Sequence, residues 1–476
     1  MHKRSLIGLA AVAMLAVGCG GDDDGEAADP PTETADDGGD DTADDTATAP
    51  GESGDGDGGG GGGGDGGCDG TVEPGTLAMF AHEGGEAAAY TAAVDAYNAG
   101  PGAELGVTVD LTLVPEGQYT DQVNSAAAAG DLPAILDFDG PNMANLAWAG
   151  HLVPIDSCIS DELRADILPS LIEQGTYAGE LYGVGSFDSG LGLYAWSSAL
   201  EEVGARVPTG ADDAWTADEL EQILRDLQGA GYEHPLDTKF WYGVQGEWST
   251  YAFAPIVWSA GGDLIDRDGG QTADGFLNTP EVVDAFTTLQ TWVNDGLIDV
   301  DAADDSNFLE QRSPISWVGH WMYAPYKEAA GDDLVVLPLP DFGSGSRTGM
   351  GSWAWAMTSA ADDPDAAWSV IEFLMSDETI LGITEVNGAI PGTRSAIAQS
   401  PNHQPGGELA LFVEQLEAAP DVAVPRPVTP AYPNITSTFR TLLDNVIQGA
   451  DVQGELDTAV AEIDADIEAN DGYPAP

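Results

Sequence analysis

Positive charge is what this sequence has least of: 13 Lys and Arg stand against 82 Asp and Glu in 476 residues, a formal net charge of −69. A field of that sign repels polyanions, which excludes nucleic acid and anionic membrane surfaces as partners. The acidity itself fits a surface kept soluble in salt or alkali. Cysteine is also scarce, with three in all, and no Cys/His spacing suited to a metal is present. Beyond the N-terminal stretch, no apolar run reaches the ~20 residues that a membrane-crossing helix needs. Catalytic signatures are missing too: there is no Gly-x-Ser-x-Gly, no His-Glu-x-x-His and no phosphate loop with its Lys. His82, His151, His234, His320 and His403 are scattered singly. Among so many acids, no pair of carboxylates stands out as acid and nucleophile. The expectation is a protein that binds without catalysis and carries neither metal nor cofactor.

What is present begins with a basic start, His2-Lys3-Arg4, and an apolar run from Leu6 to Val17. That run has the length of a signal-peptide core. It ends in Leu15-Ala16-Val17-Gly18-Cys19, which resembles the bacterial lipoprotein processing box and makes Cys19 the expected lipidated N-terminus after removal of residues 1–18. Residues 20–67 then hold 16 acidic residues and no basic one, among Gly, Thr, Ala and Pro. Such a segment buries too little apolar surface to offset its ordering entropy, so residues 19–67 read as a lipid-anchored, disordered tether. Cys68 and Cys158 remain as an even pair in an oxidising compartment, either bridged or left as two thiols.

The body, 68–476, is long enough for two or more lobes. Leu77–His82 is a short apolar run, followed by Gly84-Gly85 and a helical stripe of Tyr90, Val94 and Tyr97. Val107–Val114 alternates as a strand does, and Ala134–Phe138 is a further buried-strand candidate. The β-α-β-α-β order predicts a mainly parallel sheet in an α/β fold. Thr216 with Glu219, Thr279 with Pro280, and Asp363 with Pro364 mark three helix starts. Leu334–Leu339 reads as a strand ending at Pro340.

All 12 tryptophans lie between Trp148 and Trp368, and several sit beside glycine rather than on helical stripes. Gly319-His320-Trp321 and Gly351-Ser352-Trp353-Ala354-Trp355 are the clearest, with Glu247-Trp248 and Trp258 close behind. Sugars stack their C–H faces on indoles and hydrogen-bond to carboxylates, so aromatics with acids in a cleft suit carbohydrate. Core packing is the competing role, and Trp196, Trp292 and Trp368 are read as helical packing residues. In open α/β sheets, ligands bind at the carboxyl ends of strands, where this chain has Glu83 and Asp139. Asp139 equally reads as a helix cap.

An ordered series of motifs runs through the body: GVGSFDSGLGLYAW at 183–196, GEWSTYAFAPIVWSAGGDLID at 246–266, WVGHW at 317–321, VVLPLP at 335–340, GSWAWAM at 351–357, FLMSDE at 373–378 and NGAIPGTRS at 387–395. In order and spacing the chain resembles the extracellular solute-binding proteins of carbohydrate ABC importers, the group that includes the maltose/maltodextrin-binding proteins. The resemblance implies a type II periplasmic-binding-protein fold, two α/β lobes around a central cleft. Lobe 1 would comprise 68–186 with 341–386, and lobe 2 would comprise 187–340 with 387–476. The chain would cross near Gly185–Ser189, return near Pro340 and cross again near Asn387. Ligand-binding positions carried over from the family are Glu83, Asp139, Phe187, Asp188, Trp258, Trp321, Trp353, Trp355 and Arg394. The implied partners are a carbohydrate and the permease subunits of an importer, with the receptor a monomer held at the outer face of the cell membrane. The competing readings are the same fold holding a polyamine or compatible solute, and a secreted glycan-active enzyme.

Overall fold

β-Branched and apolar residues alternating from Gly75 onward build the first sheet of a computed structural model that describes residues 67–475 apart from Gln245, Gly246, Asp268 and Gly270. The expected signal peptide, the expected lipidation site Cys19 and the acidic segment up to residue 66 lie outside the described residues. Strand β1 (Gly75–Glu83) pairs in parallel with β2 (Val107–Pro115) along its whole length and with β3 (Ile135–Asp139) at Met79 and Phe80. The Trp353–Met357 strand adds to β3 antiparallel, with Trp353 opposite Asp139, and Gly183–Val184 closes the far edge. Helix α1 (Ala87–Ala99) buries Tyr90, Ala93, Val94 and Tyr97 on one stripe. The expected β-α-β-α-β order is therefore the backbone of a first lobe.

A second sheet has the order Leu334–Leu337, Leu191–Trp196, Ile315–Gly319, Leu236–Asp237. Its helices start where the caps predict. Thr216 accepts from the Glu219 amide at 3.1 Å, and Leu220, Ile223, Leu224 and Leu227 are buried along the helix that follows. Each such side chain contributes roughly 1.5–3 kcal/mol of burial. Thr279 caps Pro280–Asn294 in the same way, through the amide of Val282. In the first lobe, Asp363 caps Pro364–Leu374 through Ala366. Trp196, read from sequence as helical, ends a strand instead, and its Nε1 donates to the Phe308 carbonyl.

Two pairs of short strands connect the lobes. Phe187–Asp188 pairs with Ile390–Pro391, close to where crossings are expected. The return does not fall at Pro340. The Asp341 carbonyl still accepts from Ala217 and the Ser344 amide still donates to Ser259, so the second lobe holds the chain until Thr348–Met350. That segment pairs with Ala423–Pro425, a fourth connection that nothing in the sequence announces.

Cys68 and Cys158 are bridged, with Cα atoms 5.1 Å apart. Just beyond, the amides of Asp69 and Gly70 donate to Asp365, and that of Glu73 to Asp363. The start of the fold is thus stitched onto the first lobe. Among the described residues, no helix is long and apolar enough to cross a membrane.

Candidate functional site

The carboxyl end of β3 delivers Asp139 to the boundary between the lobes, where Arg426 meets it. Arg426 follows directly on the Ala423–Pro425 strand, and its side chain is 3% exposed. One guanidinium nitrogen lies 3.1 Å from Asp139 of the first lobe, and another lies 3.0 Å from Glu247 of the second. The cation also sits 4.8 Å over the ring of Tyr251. Room for it comes from Gly351, whose φ of +122° favours glycine and where a Cβ would come within 2.9 Å of Arg426. Glu247 further accepts from the hydroxyls of Tyr432 and Thr436.

Burial pushes the Glu247 carboxyl up to about 7, against the pull of Arg426 and with the charge of Asp139 adding to the rise. The folded protein therefore keeps this proton where an ordinary carboxyl near 4.5 has lost it. Glu247's contribution to stability is present below its unfolded value and is lost as pH rises through about 7. Glu247→Gln is expected to flatten that decline in melting temperature between about pH 5 and pH 8 relative to the parent. Parallel pH profiles for the two proteins would show an unperturbed carboxyl.

Aromatic side chains continue the surface on the second lobe. Trp248 and Tyr251, three residues apart on one helix, flank Trp321 at 5.8 and 6.2 Å between ring centroids, and Tyr242 packs edge-on to Trp248 at 5.2 Å. Trp321 stands in the turn after Ile315–Gly319, and glycine at 319 is required because a Cβ there would meet the indole at 2.1 Å. On the first lobe, Trp353 is half-buried and stacks on His82 at 3.7 Å. His82 is itself held by Asp137 and Glu86. Burial alone would keep that imidazole neutral, but Asp137 and then Glu86 hold it protonated, its pKa raised to about 10. His320, across the boundary, is pushed down to about 4 by burial between Ser189 and the Asn387 carbonyl.

Trp353, Asp139, Arg426, Tyr251 and Trp321 thus form one continuous row across the two lobes, with Glu83 exposed at the neighbouring end of β1. Other residues singled out from the sequence do not join it. Asp188 is fully buried at the hinge and accepts from Ser170, Gln174 and the amides of Ser189 and Gly351. Phe187 packs edge-on to His320. Trp355 is 1% exposed, bonded to Ser186 and packed against Tyr90. Trp258 lies buried at the far end of its helix with Nε1 on Asp263. Arg394 lies on the surface, tied to the carbonyls of Ala165 and Ile167. Arg426, Tyr251 and His82 escaped the sequence reading. For Arg426 a signal existed, since so few cations are present that any one beside prolines invites a question.

The model of the bacterial extracellular solute-binding protein family matches residues 92–409. A maltotriose-binding protein of Pyrococcus abyssi is 23% identical over 283 residues, 57% of each chain, so the match spans little more than half the length of that relative. Among solved structures, a cyclic α-maltosyl-1,6-maltose-binding protein of Arthrobacter globiformis superposes with a TM-score of 0.67 at 23% identity, over 83% of this chain and 100% of the other. An ABC substrate-binding protein of Listeria monocytogenes in complex with cycloalternan gives 0.70 at 16% identity, over 83% and 100%. At these identities the structures show a shared fold.

Proposed function

The chain belongs to the bacterial extracellular solute-binding proteins, and from that premise we propose that it captures an oligosaccharide between its lobes and delivers it to the permease subunits of an ABC importer. The observation that carries this reading is the row from Trp353 to Trp321, in which stacking surfaces from both lobes flank hydrogen-bonding charged groups. A ligand touching both walls favours the closed arrangement, because only closure satisfies both sets of contacts. The maltotriose and cyclic maltosyl-maltose named for the relatives support a gluco-oligosaccharide as the solute.

In this reading the protein works as a monomer, without catalysis, outside the cytoplasm and anchored through lipid on Cys19. The lobes run approximately 68–186 with 351–386 and 187–347 with 387–476. Residues 341–347 go with the second because Asp341 and Ser344 bond to Ala217 and Ser259, and the Arg394–Gln399 helix goes with the first because Arg394 and Ser395 bond to 165–167 and Asp377. A polyamine is disfavoured by one specific contact: Arg426 already supplies the cation that Asp139, Glu247 and the face of Tyr251 would offer it.

Trp321→Ala and Trp353→Ala are each expected to weaken maltotriose binding by about tenfold or more, as loss of one stacking surface worth ~1–2 kcal/mol requires. Titration calorimetry reads this directly, with circular dichroism confirming the fold. Unchanged affinity in both variants removes these tryptophans from the site.

A further inference from the structure

We propose that His82 is a positioning residue for Trp353, a buried platform that fixes the indole in its sugar-stacking orientation before any ligand arrives. The proposal rests on the sugar-binding reading above and adds to it a residue outside the stacking surface itself. Its basis is the layering at this point of the first lobe. Beneath the indole lie His82 at 1% exposure, Asp137 at 0% and Glu86 at 7%, whereas Trp353 itself stays half-buried. The accessible part of the ring is therefore turned away from the platform.

The platform is tightly fixed. His82 Nδ1 lies 2.5 Å from Asp137 Oδ2, and Nε2 lies 3.2 Å from Glu86 Oε1. With both ring nitrogens held, the imidazole plane is set, and it stacks on Trp353 at 3.7 Å with 15° between the planes. Tyr119 closes on the indole edge-on at 5.4 Å, and Tyr90 closes on the imidazole in the same way at 5.5 Å. Gly84 leaves the space required, since a Cβ there would press on His82 at 2.8 Å. Glu86 shows the same priority. It stands at the N-cap of α1 yet makes no side-chain cap bond, its carboxylate being directed to His82 instead. A cation flat against an indole face attracts it, and an aromatic ring with few remaining rotamers loses little freedom when it binds. Trp353 thus meets its ligand already ordered.

The test uses the full chain, with maltotriose as the probe. His82→Gln is expected to weaken binding by about tenfold in the parent background. In a Trp353→Leu background the same substitution should change affinity by less than about twofold, because the two residues act as a unit. A His82 that only packs the core would lower the melting temperature and leave affinity equal or additive in both backgrounds, which would overturn the proposal. A second measurement needs no variant at position 82. In fluorotryptophan-labelled parent protein, the Trp353 resonance, assigned with Trp353→Phe, should be single and narrow without sugar. A doubled or exchange-broadened resonance overturns the proposal even if His82→Gln fails to fold. A narrow Trp353 line in a protein that leaves maltotriose unbound would support the positioning role and reject the sugar instead, so the two readings fail separately.

Discussion

Arg426→Met is expected to hold the lobes apart and to weaken solute binding by roughly two to three orders of magnitude. Asp139 and Glu247, at 15% and 17% exposure, would face one another across the boundary without the cation that now lies about 3 Å from both. Removing one partner from a buried charged cluster costs roughly 3–5 kcal/mol, most of it from the uncompensated charge that remains. Here the two carboxylates belong to different lobes, so opening relieves the strain by returning both to water. The cost therefore falls on the closed arrangement, and a few kcal/mol there lowers its population, and with it the apparent affinity, by about 10²–10³-fold. Elsewhere along this seam Asn145 donates to the Pro430 carbonyl, and Trp148 donates to that of Pro474 and packs edge-on against Tyr473. These are neutral contacts worth about 1 kcal/mol each, smaller than such a loss.

Small-angle scattering should show a larger radius of gyration for the variant, and calorimetry the weaker binding. Two controls sharpen the result. Arg426→Lys should recover only part of the effect, because an ammonium does not reproduce the fork that reaches both carboxylates. The defect should also be smaller at about pH 5.5 than at about pH 8, because burial and the charge of Asp139 favour the protonated Glu247 carboxyl, and protonating it costs less at the lower pH. A scattering profile and affinity identical to the parent would mean that the cluster bears no part of closure.

Replacing Cys68 and Cys158 together by Ser is the second large expected effect. The bridge closes a segment with a sequence separation of 90. By loop-closure entropy it restricts the unfolded chain by about 4.6 kcal/mol, of which ~2–4 kcal/mol typically survives in measured stability. The segment contains β1, β2 and β3, so the loss falls on the first lobe. At ~2–4 °C per kcal/mol, the transition of that lobe should drop by roughly 5–10 °C in differential scanning calorimetry. A shift under about 1 °C would show that the Asp365 and Asp363 bonds to the amides of Asp69, Gly70 and Glu73 hold the start of the fold unaided.

The parts of this fold that were legible in the sequence are those decided locally. Thr216, Thr279 and Asp363 announce helices because a cap needs only its own side chain and an amide three residues on. The first parallel strands follow from alternation and from the helices between them. Trp321 and Trp353 were visible because glycine beside an indole is a poor way to build a core. The same pattern could not separate Trp353 from Trp355. Two apart on one strand, they share a face, and only depth along the strand leaves the first half-open while the second disappears beneath Tyr90. Asp188 was illegible for a different reason: its partners Ser170, Gln174 and Gly351 converge only after the hinge forms. Arg426 acts through Asp139 and Glu247, 287 and 179 positions away, and no local pattern encodes such a meeting.

The stitching of residues 68–73 onto Cys158, Asp363 and Asp365 also has a mechanical consequence. A pull arriving along the chain from before Cys68 meets a covalent bond and then a set of side-chain clamps before it reaches β1. β1 lies in the interior of its sheet, and peeling it would unravel the lobe from within. Load is diverted from the ladder into the staple. The paired strands at 187–188 with 390–391 and 348–350 with 423–425 lie outside the stapled segment, so a load at Cys68 reaches them only through the body of the first lobe.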